Sequence, residues 1–230
     1  TLECLDNSTP DLGQIAAALE ADSEISNVSV VHCETTTGII NPIMKIGKIV
    51  KKSGAKYIVD AMSSFGAVPI DMAECNIDYL VSSANKCIEG VPGFSFILCN
   101  LSSLKETTGY ARSLSLDLLA QYQGFEKNGQ FRFTPPTHVL AAFRQALTEL
   151  EAEGGIEGRA ERYSKNYKIL VTGMRRMGFE EYLGPEDQGY IITSFLYPED
   201  DKFNFDRFYE ELNKKDYVIY PGKVSDANCF

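Results

Sequence analysis

The sequence contains no block of basic residues interleaved with aromatics. Across 230 residues, 32 acidic side chains outweigh 22 basic ones, for a formal net charge of −10. That balance lacks the electrostatic footprint of a nucleic-acid binder and argues against an anionic membrane surface as partner. No run of about twenty apolar residues occurs, so no membrane-spanning helix is expected. Six cysteines are present (Cys4, Cys33, Cys75, Cys87, Cys99 and Cys229). None form a C-x-x-C pair, and none join histidine at zinc-ligand spacing. Several sit inside apolar runs, where cysteine behaves as a small hydrophobe, a pattern that suits a reducing cytosol and a cytoplasmic protein. Internal repeats and low-complexity segments are also missing. Thr1-Leu2-Glu3-Cys4 has neither a basic signal-peptide region nor an initiator Met, and Asn228-Cys229-Phe230 breaks off in a continuing run. The chain therefore reads as an internal piece of a longer protein.

The first half alternates apolar runs with helical patterns. Helices are expected over Asp11–Ala21 and Pro42–Lys52, the second with Ile43, Ile46, Ile49 and Val50 inward, Asn41 as cap and Pro42 in its first turn. Strands are expected over Val28–His32, Lys56–Asp60, Asp78–Ser82 and Ser95–Cys99. This alternation predicts βαβ units: an α/β fold with a mostly parallel sheet. The second half reads as helices over Leu114–Gly124, Thr137–Glu153 (with Thr137 as N-cap) and Ile156–Met177. A strand at Ile191–Tyr197, a helix at Phe205–Lys214 and a strand at Tyr217–Tyr220 follow. We divide the chain into part of a large domain, 1–158, and an incomplete, smaller α+β C-terminal domain, 159–230.

Three segments at the carboxyl ends of predicted strands could carry chemistry, since open α/β sheets bind ligands there. Taken alone, Glu34-Thr35-Thr36-Thr37-Gly38 is a Thr-rich turn. Asp60 is either a site carboxylate or the acid of an Asx turn. Lys86, in Ser82-Ser83-Ala84-Asn85-Lys86-Cys87-Ile88-Glu89-Gly90, has small residues before it and a glycine after, which let a bulky ligand approach the backbone. A lysine and an aspartate on neighbouring strand ends are the two groups that pyridoxal phosphate requires, one for a Schiff base and one for the ring nitrogen. Arg132 and Thr134, before a helix N-terminus, could bind an anion, or the segment is simply a rigid turn. His138 reads as a helix-face residue.

Four motifs occur in order: His32-x-Glu34-Thr-Thr-Thr-Gly38, Asp60-Ala-Met-Ser-Ser-Phe-Gly66, Ser-Ser-Ala-Asn-Lys86-Cys-Ile-Glu-Gly-Val-Pro-Gly93 and Arg-Phe-Thr-Pro-Pro-Thr-His138. Together they resemble the class V aminotransferases of fold type I, and the closing Tyr220-Pro221-Gly222-Lys223 also fits. The resemblance runs from near Thr1 to Phe230. It implies a fold type I pyridoxal-phosphate transferase that moves an amino group between a small amine and a 2-oxo acid, within a homodimer. The nearest subgroup implies 2-aminoethylphosphonate as donor and pyruvate as acceptor, with phosphonoacetaldehyde and L-alanine as products.

By the same resemblance, Lys86 forms the Schiff base and moves the proton, and Asp60 pairs with the pyridinium nitrogen. Met62 packs on a ring face, Thr36 or Thr37 reaches the phenolic oxygen or the phosphate, and Asn85 lies near the phosphate. Thr134 is implied to reach the phosphate held by the neighbouring subunit. No metal is implied. The family's glycine- and threonine-rich phosphate loop, its ring-stacking aromatic and its substrate-binding arginine have no counterpart in this sequence. Three alternatives stay open: an alanine–glyoxylate aminotransferase, a cysteine desulfurase using Cys229, and a non-catalytic fragment or dimerising scaffold.

Overall fold

The computed structural model describes residues 1–230. Helix α1 (Leu12–Ala21) starts where the Asp11 carboxylate accepts from the Gly13 and Gln14 amides at 2.7 and 3.0 Å, satisfying two of the amides a helix start leaves free. Strand β1 (Asn27–Val31) leads into helix α2 (Ile43–Ser53), which ends on Gly54 in the left-handed region. Strands β2 (Lys56–Asp60), β3 (Tyr79–Ser83) and β4 (Ser95–Cys99) complete one four-stranded sheet in the order β1-β2-β3-β4. The first two pairings are parallel and the third is antiparallel.

One face of the sheet is covered by α1 and α2. Ile15, Leu19, Ile43, Ile46 and Val50 meet Tyr57, Val59 and Leu80 in the main core. Each fully buried aliphatic here contributes roughly 1.5–3 kcal/mol. Gly47 lets α2 lie directly on the chain near Cys75: a Cβ there would stand 1.9 Å from the Cys75 carbonyl oxygen. A second cluster has Ile88 packed with Ala146 and Leu150, beside a ring cluster of Phe65, Phe94, Phe96 and Phe143.

Short helix α3 (Leu101–Lys105) follows β4, then α4 (Leu118–Asn128), α5 (Thr137–Ala152), α6 (Gly155–Arg176) and α7 (Phe205–Asn213). At the C-terminal end of α6 a third cluster forms from Val171, Met174 and Phe195, with Phe179 and Phe230 against it.

Several expectations need correction. Asn41 does not cap α2. Its amide donates instead to the Val31 carbonyl at 2.9 Å and to Glu34 Oε1 at 3.1 Å. Thr137 is the first residue of α5, and no side chain caps that helix. Helix α4 begins four residues later than Leu114, because Asp117 supplies the cap by accepting from the Ala120 amide at 2.9 Å. Residues 191–197 and 217–220 are not strands. A strand needs a partner along its length, and the first segment has only the isolated bridges Glu181–Phe195 and Leu196–Cys229. The second has none, and Tyr217, Val218 and Tyr220 are exposed. α3 was not foreseen.

Candidate active site

The register of the parallel strands sets Val31 beside Asp60 and Asp60 beside Val81. The three segments singled out above therefore leave the sheet at one level. They are 32–38 after β1, 60–66 at the end of β2, and 84–90 after β3. Their mutual bonds hold them together. His32 Nδ1 is hydrogen-bonded to Ser64 Oγ at 2.9 Å, and the Cys87 thiol donates to the Ser63 carbonyl at 3.3 Å. The middle segment is thus fastened on both sides.

Asp60 is half-buried. Its Oδ1 accepts from the Met62 amide at 2.8 Å, which fixes the carboxylate and leaves its other oxygen without a hydrogen bond. Met62, also half-buried, follows on the same turn. Lys86 is exposed, and its ammonium takes part in none of the ion pairs. It sits in a tight turn, with the Glu89 amide on the Lys86 carbonyl and the Gly90 amide on the Ala84 carbonyl, each at 2.8 Å. Asn85 is exposed beside it.

Thr35 and Thr36 are exposed, while Thr37 is 2% exposed and its hydroxyl accepts from the Ile39 amide at 3.4 Å. Gly38 has φ +94°, and a Cβ there would meet the Ile192 carbonyl oxygen at 2.2 Å, so only glycine fits. The chain around Ile192 lies against this loop. The Gly189 amide donates to the Gly38 carbonyl at 3.0 Å, the Ser194 hydroxyl to the Thr36 carbonyl at 3.1 Å, and the Tyr190 hydroxyl to the Ala67 carbonyl at 2.8 Å.

Thr134 stands apart, exposed in the turn leading into α5. Arg132 works within that turn: Nη1 donates to the Leu114 carbonyl at 3.1 Å, and its guanidinium lies over the Phe133 ring. His138 is exposed on α5, as expected.

Sequence reading missed two members of this cluster. Glu34 is half-buried, and its carboxyl is pushed up by burial. The Asn41 amide opposes that shift, and the Asp60 charge adds to it. Two carboxylates thus converge at the ends of β1 and β2. His32 is 3% exposed, and burial pushes its imidazole down to about 4. The His-x-Glu spacing at a strand end was the one available signal.

The His32 shift carries a sign. An unfolded chain takes up a proton near the ordinary pKa of 6.5, whereas the folded protein refuses it until about 4. Stability falls as pH drops through that window, by about 3 kcal/mol in all. Urea unfolding midpoints measured between about pH 7 and pH 4 test this. His32→Asn, which keeps a polar group for Ser64, is expected to flatten the slope. Parallel curves for the two proteins would refute it.

The donor set fits pyridoxal phosphate. An unpaired amine, a fixed carboxylate with a spare oxygen, and a second acid nearby all favour a ligand with an aldehyde and a cationic ring nitrogen.

Comparison with known proteins gives the family. The family described as "Aminotransferase class-V" matches residues 1–212. The 2-aminoethylphosphonate–pyruvate transaminase of Phocaeicola vulgatus is 55% identical over 213 residues, covering 92% of this chain and 59% of that protein. The protein of the same name from Salmonella typhimurium is 51% identical over 229 residues, covering 99% and 62%. The chain thus spans 59% to 62% of the length of these curated relatives. Among solved structures, the pyridoxamine–pyruvate aminotransferase of Mesorhizobium loti superposes with a TM-score of 0.88 at 26% identity, over 99% of this chain and 59% of that one. The alanine–glyoxylate aminotransferase of Nostoc sp. gives 0.83 at 22% identity, over 97% and 59%, and supports the fold alone.

Proposed function

We propose that this chain, which belongs to the class-V aminotransferase family, carries the lysine–carboxylate centre of a transaminase that moves the amino group of 2-aminoethylphosphonate to pyruvate. One observation carries the chemistry. The Lys86 turn and the Asp60 turn leave adjacent parallel strands at one level and are bonded to each other through Cys87 and Ser63. The substrate pair rests on relatives more than half identical.

Lys86 would hold pyridoxal phosphate through its amine, and the free oxygen of Asp60 would hold the proton of the ring nitrogen. Met62 would support a ring face. The exposed Thr36 suits a polar contact better than Thr37, whose hydroxyl is buried against Ile39. Asn85 would lie near the phosphate. The cofactor supplies an aldehyde that condenses with amines and a ring that spreads the electron pair released at the neighbouring carbon. Lys86 takes the proton from the donor carbon next to nitrogen and later returns one to the carbon that was the keto carbon of pyruvate. Asp60, a fixed negative charge, keeps the ring nitrogen protonated throughout.

A second copy of the chain completes the proposal, with Thr134 reaching the neighbour's phosphate. Tyr110, Leu114, Leu116, Phe131 and Phe133 are all exposed on the segment around α4, and a partner subunit would cover them. We keep the division into 1–158 and 159–230, joined along α6, and a cytoplasmic site of action. All six thiols are unpaired, and no helix is long and apolar enough to cross a membrane.

The desulfurase alternative calls for a mobile cysteine. Cys229 is 3% exposed and bridged to Leu196. The test is direct. The full-length protein, loaded with pyridoxal phosphate, is offered 2-aminoethylphosphonate, serine or cysteine, with pyruvate or glyoxylate as acceptor. Alanine formed fastest from 2-aminoethylphosphonate with pyruvate is the expected result. Faster turnover of another pair, or none, overturns the substrate assignment.

A further inference from the structure

Arg159 is the largest side chain that is fully buried, 2% exposed, in the first turns of α6. A guanidinium removed from water costs several kcal/mol unless it is paired and its donors are used. Here Nε donates to Glu153 Oε2 at 2.6 Å, and Nη1 donates to the Cys87 carbonyl, also at 2.6 Å. The same Nη1 lies 3.4 Å from Glu89 Oε2. Two of its three partners, one by hydrogen bond and one by ion pair, therefore belong to the turn that bears Lys86, although Arg159 is 72 residues from Cys87 along the chain.

That turn is strained. Glu89 has φ +63°, a conformation that costs a non-glycine residue about 1–2 kcal/mol. Its side chain is held in place by Arg162 Nη2 at 2.8 Å and the Tyr163 hydroxyl at 3.3 Å, besides Arg159. Cys87 is gripped from two sides, through its carbonyl by Arg159 and through its thiol by the Ser63 carbonyl of the Asp60 turn. The carbonyl that Arg159 holds is one residue past Lys86, so it orients the backbone from which the lysine projects.

We propose that Arg159 is a positioning residue that aims the Lys86 amine. The proposal rests on the reading of Lys86 as the Schiff-base lysine. The competing account makes Arg159 a corner brace between α5 and α6. Glu153 caps α5, and Gly158 packs so close that a Cβ would meet the Glu153 carbonyl oxygen at 2.1 Å. A brace affects only stability, whereas a positioning residue also affects how readily Lys86 bonds the cofactor.

Arg159→Gln, Arg159→Lys and Arg162→Gln separate the two. Arg162→Gln removes contacts to Glu89 and Glu153 but leaves the Cys87 carbonyl bond. Each protein, checked for folding by circular dichroism, is mixed with pyridoxal phosphate. Two quantities are then read: the rate at which borohydride fixes a pyridoxyl label on Lys86, by mass spectrometry, and the pH midpoint of the yellow absorbance. Arg159→Gln is expected to slow labelling by about tenfold to a hundredfold and to move the midpoint by about one pH unit. Arg159→Lys should recover part of both, and Arg162→Gln, which keeps the Cys87 carbonyl bond, should change both far less than Arg159→Gln does. Parent rate and midpoint in a folded Arg159→Gln overturn the inference. If that variant does not fold, the same parental values in Arg159→Lys overturn it. Label absent from Lys86 in the unsubstituted protein overturns the cofactor reading, and this inference with it.

Discussion

Lys86→Ala is expected to abolish the borohydride-fixed pyridoxyl label on the protein and to lower transaminase turnover by about 10⁴-fold or more, since a positioned proton-transfer group alone contributes up to that factor. On the proposed reading the side chain would have two tasks, holding the cofactor and moving the proton, and no neighbour duplicates the amine. His32 is a weak base enclosed by protein, Arg159 is committed to two hydrogen bonds and an ion pair with Glu89, and Asn85 has no basic nitrogen. The substitution should leave the fold alone. Lys86 is exposed and in no ion pair, so stability should change by no more than about 0.5 kcal/mol. A catalytic loss without a structural one is therefore the signature to look for. Label on a different lysine, or turnover near normal, would remove Lys86 from the centre of the site.

Asp60→Asn should separate rate from binding. An asparagine keeps the shape, and its carbonyl oxygen can still accept from the Met62 amide as Oδ1 does now. What disappears is the fixed charge. On the proposed reading the ring nitrogen would lose its reason to stay protonated, and turnover is expected to fall by about 10²–10³-fold, the cost typical of removing one preorganised electrostatic group. Cofactor affinity, set also by Lys86 and by phosphate contacts, should change far less. Glu34 gives an independent check. The Asp60 charge is one of the causes that push its carboxyl up, so the variant should let Glu34 ionise at lower pH. Titration of Glu34 by NMR, together with kcat and cofactor Kd, covers both. A normal kcat in Asp60→Asn would sink the role.

Local signals were enough for much of this molecule. Lys56–Asp60 and Ser95–Cys99 are strands at the expected bounds, because short apolar runs flanked by polar or glycine residues have few other places to go. Lys86 and Asp60 were singled out because ligands bind at the strand ends of an α/β sheet, and the structure places both residues there. What sequence reading missed depended on tertiary partners. Tyr217–Tyr220 has strand composition but no neighbouring strand. Asn41 looked like a cap, yet the Val31 carbonyl and Glu34 were closer claimants. The Arg159–Cys87 bond spans 72 residues and the His32–Ser64 bond 32, and no periodicity reports contacts at such separations.

The contact at Gly38 has a mechanical corollary. Because the Ile192 carbonyl occupies the space where a side chain would be, the segment 189–194 and the threonine loop fit like a latch and its keeper. Lifting that segment must part the Gly189–Gly38, Ser194–Thr36 and Tyr190–Ala67 bonds, at about 1 kcal/mol each. Displacement of residues 189–194 and reshaping of the Thr35–Thr37 loop are therefore coupled.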